Sequence, residues 1–92
     1  MAGAVGAELS TLSNLKRTFD QTAQQALDIR TAVDSGVDSA VWTGAYSDQF
    51  RSAWQEYRRN LETLHQALVQ ASDDVRSNHN NIAAATGENV TI

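Results

Sequence analysis

The chain has 92 residues, no proline, no cysteine, and seven Lys and Arg against eleven Asp and Glu, for a net charge of −4. That length holds one domain at most. Without cysteine there is no disulfide framework, no thiolate metal site and no thiol chemistry. The basic residues are outnumbered and scattered, which excludes the basic stripe of a nucleic-acid binder.

Met1 to Leu9 have no basic leader and no apolar core of roughly 7–15 residues, so no Sec signal peptide is expected. No apolar run approaches the ~20 residues that span a bilayer. Both readings place the chain in the cytoplasm unless an export route reads some other feature.

Helix 1 is expected over about 6–38. Its stripe recurs every seven residues at Val5, Leu12, Phe19, Ala26, Val33 and Ala40. Leu15 and Ile29 fill the intermediate turn, and Leu9, Ala23 and Val37 widen the face. Such spacing puts these side chains on one side of a helix. Thr22 and Gly36 interrupt it. Asp34-Ser35-Gly36 reads as a helix stop, with glycine free to adopt a left-handed C′ conformation, although the stripe continues to Ala40.

A turn is expected over about 39–46, and helix 2 over about 47–85. Phe50, Trp54, Tyr57, Leu61, Leu64, Leu68, Ala71 and Val75 recur in 4-3-4-3 steps, and Asn78 and Ile82 keep the register. This is a coiled-coil type of seam. Ser47 is the expected N-cap and Asp48 suits the first turn. Arg58 with Glu62, and Glu56 with Arg59, are spaced for intrahelical pairs on the solvent side. Gly87 ends the helix, and 86–92 is expected to be a flexible tail. Asn78 is read as a wet position where the bundle frays.

At ~1.5 Å per residue these helices are rods of roughly 50 Å, and a short connection forces them antiparallel. Two helices touch along one line, but each stripe is wider, because Leu9, Val37, Ala53, Ala67 and Val69 flank it with apolar or small residues. A lone hairpin leaves about half of each stripe wet, and small domains gain little net stability to spare. Docking a second hairpin closes a four-helix bundle. The fold class is therefore all-α: an antiparallel helix-turn-helix hairpin over 1–92, dimerising into a four-helix bundle. The expected core of hairpin and dimer is Leu12, Leu15, Phe19, Ile29, Val33, Phe50, Trp54, Tyr57, Leu61, Leu64 and Leu68. The partner is a second copy or a different hairpin.

The remaining polar residues carry no chemistry. His65 and His79 lie nearly four turns apart, or ~21 Å, too far to share a metal, and are read as solvated. Asp73 and Asp74 are adjacent and do not face each other. No glycine spacing resembles a phosphate loop. A non-enzymatic protein with no cofactor and no metal is expected.

Trp42-Thr43-Gly44 falls near the midpoint, between the two helical patterns, with Phe50 eight residues after the Trp and then Trp54. A Trp-any-Gly turn between amphipathic helices in a chain of this length resembles the WXG family of roughly hundred-residue secreted proteins, the early-secreted-antigen-like substrates of type VII secretion systems. The resemblance spans essentially the whole chain; Tyr46 departs from it, where the family more often has a small residue. It implies export as a dimer, with itself or a paralogous WXG protein, by a route independent of a signal peptide. It also implies recognition by the system's membrane-bound ATPase through the end of helix 2, here the region of Val75, His79 and Ile82. Two export motifs of the family are incomplete in this chain. No Tyr follows Leu64 to start one; in the other Val75 and His79 fit, but Leu68 and Ser72 stand for a His and an acid. The alternative function is an intracellular helical adaptor that offers its stripe to a larger partner. A membrane-active hairpin is disfavoured by the acidic charge.

Overall fold

The computed structural model describes residues 8–88 and 90–92. Two helices, α1 (Leu9–Ser39) and α2 (Ala45–Ala85), pack along their length as a hairpin of 65 × 17 × 16 Å. Among the described residues there is no strand, and no helix is long and apolar enough to cross a membrane. Val5 and the expected helical start at 6–7 lie outside the described residues.

Asp34-Ser35-Gly36 does not stop α1. The helix passes through Gly36 to Ser39, and Ala40 closes it with backbone bonds to Gly36 and Val37. A glycine weakens a helix interior by only ~0.5–1 kcal/mol, which packing along α2 offsets. Thr22, the other break in the stripe, bonds its hydroxyl to the Thr18 and Phe19 carbonyls, at 2.9 and 3.1 Å.

Ser47 is not the N-cap of α2. Helix 2 starts at Ala45, and Gly44 occupies the cap with φ 104° and ψ −177°. Only glycine reaches that conformation without strain. Ser47 is buried one turn further in, and its hydroxyl donates to the Trp42 carbonyl at 2.8 Å.

The contact between the helices is lined by small and polar residues. Ala23, Ala26, Ala83, Ser47, Ser72 and His79 are the fully buried residues among those described. Small side chains let the helix backbones approach closely. Among the described residues no large aliphatic or aromatic side chain reaches full burial, so the pair has a thin core.

The segment after α2, expected as a loose tail, turns back. Gly87 at φ 79° carries a Schellman-type cap, with Glu88 N–H donating to the Ala83 carbonyl at 2.8 Å and Gly87 N–H to that of Ala84 at 3.3 Å. Ile92 then meets Asn80: its N–H donates to Asn80 Oδ1 at 2.9 Å, and Asn80 Nδ2 donates to its carbonyl at 3.3 Å.

Candidate functional site

Each helix presents its apolar stripe in two columns, and the hairpin uses one of them. Leu12 and Phe19 on α1, and Trp54, Leu61, Leu68, Val75 and Ile82 on α2, are half-buried at the contact. The second column turns outward. Leu15, Ile29, Val33, Phe50, Tyr57 and Leu64 are each between 37% and 55% exposed. Of the eleven residues expected to form the core, these six therefore form an open face.

At the turn end this face deepens into a groove of about 390 Å³ lined by Val33, Gly36, Val37, Ala40, Trp42 and Phe50, with Arg51 at its edge. The groove places Val33 of α1 and Phe50 of α2 on one side of the hairpin. Trp42 closes its end against Phe50, with ring centroids 5.5 Å apart and the rings tilted by 41°, within the range of favourable aromatic pairs. Val41 and Tyr46 beside it are fully or largely exposed.

The opposite side is polar and tied across the helices. Arg58 grips Asp34 with two bonds, Nε to Oδ1 at 3.1 Å and Nη2 to Oδ2 at 2.7 Å. Trp54 Nε1 donates to the same Oδ1 at 2.7 Å. Arg30 reaches Glu62 at 3.1 Å, and Arg58 stands 3.7 Å from it. The Arg58–Glu62 pair expected on the solvent side is thus one strand of an interhelical network. The Arg58 bonds, then the Trp54 bond, hold the Asp34 carboxyl below the usual carboxylate range, and Asp34 in turn raises Arg58 above its ordinary value. Further along, Ser72 bonds to Asp20, which Lys16 also holds at 2.8 Å. These two contacts, Lys16 first, lower the Asp20 carboxyl as well.

Arg51 organises the turn. Its guanidinium donates to the Val37 carbonyl at 2.9 Å, to those of Ala40 at 3.4 Å and Trp42 at 3.5 Å, and its Nε donates to Ser47 Oγ at 3.0 Å. Helix α1 has no basic residue in its own last turn, so Arg51 supplies from α2 the positive charge and donors that a helix C-terminus favours. Sequence reasoning missed this residue. The signal was available: an Arg one turn after Ser47, following a helix end with no cation of its own.

The two histidines are not solvated. His79 is 2% exposed and its Nδ1–H donates to Asn80 Oδ1 at 3.1 Å. His65 is half-buried, with its Nδ1–H donating to the Ala23 carbonyl at 2.9 Å. Both lie one turn from apolar seam residues, on the side that meets α1, and a backbone carbonyl or an amide partners the Nδ1 of each ring. Asn78 is exposed, yet α2 does not fray there: the helix runs on to Ala85. The expected recognition residues are spread over this end, with Val75 and Ile82 half-buried and His79 inside. No group of His, Asp and Glu able to hold a metal occurs among the described residues.

A family model described as "Proteins of 100 residues with WXG", WXG100, matches residues 6–85. The chain belongs to the WXG100 family. The match includes Trp42 and Gly44, whose places here are the wall of the groove and the cap of α2. Searches against curated proteins and solved structures return no significant match. Within the WXG100 hairpin, then, this chain combines an apolar face, a polar back and a turn pinned by Arg51.

Proposed function

We propose that this WXG100 protein is a non-enzymatic substrate of a type VII secretion system, exported as a folded dimer. The observation that carries this reading is the open apolar face of Leu15, Ile29, Val33, Phe50, Tyr57 and Leu64 on a hairpin with almost no core of its own. Burying one such side chain contributes ~1.5–3 kcal/mol, so covering the face with a second hairpin supplies stability that the single hairpin lacks. The occupant is a second copy or a paralogous WXG protein, and the product is a four-helix bundle. Trp42 and Gly44 shape the turn end of that interface. The region from Val75 to Ile92 is where the secretion ATPase binds, and the route needs no signal peptide.

The test is expression in a bacterium with a type VII system, with its ATPase intact or deleted. The protein is expected in the medium only when the ATPase is present, with a cytoplasmic marker retained in the cells. Equal amounts in the medium of both strains would overturn the export reading.

A further inference from the structure

The end of α2 is closed by the chain that follows it. Gly87 reverses the backbone, and Ile92 returns to Asn80, twelve residues earlier, through a pair of hydrogen bonds. Asn80 Oδ1 accepts from both Ile92 N–H and His79 Nδ1–H. One amide therefore joins the returning segment to the buried histidine. Ile92 is half-buried and borders a pocket lined by Ser13, Lys16, Arg17 and Asp20 of α1. The segment thus spans from one helix to the other.

We propose that Val90–Ile92 are a strap, clasped by Asn80, that keeps the recognition end of α2 closed until a partner displaces it. This rests on the export reading given above and adds its regulation. Two hydrogen bonds and one half-buried side chain make a weak closure, because each bond is exchanged against water. Such a closure is readily opened by a partner that binds the surface beneath it. The local opening also leaves the rest of the hairpin in place, as low-stability segments do.

The experiment compares the full chain with Asn80→Ala and with Ile92→Ala, which alters no helical residue. Amide exchange is read at the backbone N–H of position 92, relative to the intrinsic rate of the residue there, with helicity and solution mass as checks on the fold. Secretion is read in the strain with an intact ATPase. Asn80→Ala is expected to speed exchange of the Ile92 amide on the order of tenfold and to raise the secreted fraction severalfold. Ile92→Ala changes both in the same direction. Equal protection of the position-92 amide in all three proteins overturns the clasp. An opened strap with an unchanged secreted fraction overturns its gating role and leaves export standing. Absence of secretion of all three overturns the export reading and the gating role together, while amide exchange still decides the clasp.

Discussion

Trp54 donates its indole N–H to Asp34 across the hairpin at 2.7 Å. The ring lies in the apolar seam while its one polar atom faces the charged back. The residue therefore fixes both the depth and the rotation of α2 against α1. Arg58 completes the arrangement by holding both carboxylate oxygens of Asp34.

The Asp34 carboxyl, held low first by Arg58 and then by Trp54, makes stability depend on acid pH. A depressed folded pKa contributes stability that is present above the unfolded value of ~3.9 and is lost as pH falls through the folded value. Asp34→Asn is therefore expected to lower the thermal midpoint modestly at pH 7. The gap between it and the parent narrows below pH ~4 and closes in stronger acid. Melting curves at both pH values check this, and an unchanged gap in acid would contradict it.

Gly44 and Gly36 respond to alanine with opposite signs. Neither added Cβ meets an atom within 4 Å, so backbone alone decides. At Gly44, φ 104° imposes strain of about 1–3 kcal/mol on any other residue. At Gly36, inside α1, alanine gains roughly 0.5–1 kcal/mol. Urea unfolding of Gly44→Ala and Gly36→Ala reads both.

Removing Arg51 frees the carbonyls at the end of α1. Arg51→Ala is expected to destabilise by about 1–3 kcal/mol, and Arg51→Lys by less, because an ammonium keeps the charge but loses the fork. Equal stability of Arg51→Ala and the parent in denaturant titrations would exclude the capping role.

How much of this was legible in the sequence follows from what each pattern encodes. Heptad spacing marks which side chains share a face, so the apolar stripes of both helices could be read. It does not say which half of a wide stripe meets the partner helix. That choice is made by Ala23, Ala26, Ser72 and Ala83, whose small size allows close approach and whose composition signals nothing by itself. The polar back was hidden for a similar reason. Trp54 and Arg58 stand one turn apart on α2, but Asp34 lies 20 and 24 residues before them, so the three meet only once the register of the hairpin is set. The burial of His79 was missed because a histidine one step off an apolar stripe reads as solvent-facing until the opposite helix is present.

The open face should be sensitive where the polar back is not. Tyr57→Lys and Leu64→Lys are expected to weaken association by on the order of 1.5–3 kcal/mol per face residue lost. Gln55→Lys, on the opposite side, serves as the control. Sedimentation across a dilution series distinguishes them, and equal dissociation of all three variants would move the interface elsewhere.

The most direct test of the central claim is light scattering across a concentration series, with helicity recorded on the same samples. The account predicts that folded helical protein always has about twice the 10.0 kDa chain mass, alone or after mixing with a paralogous hairpin, and that helicity falls as the dimer dissociates. A fully helical, cooperatively melting species at the mass of one chain would contradict it.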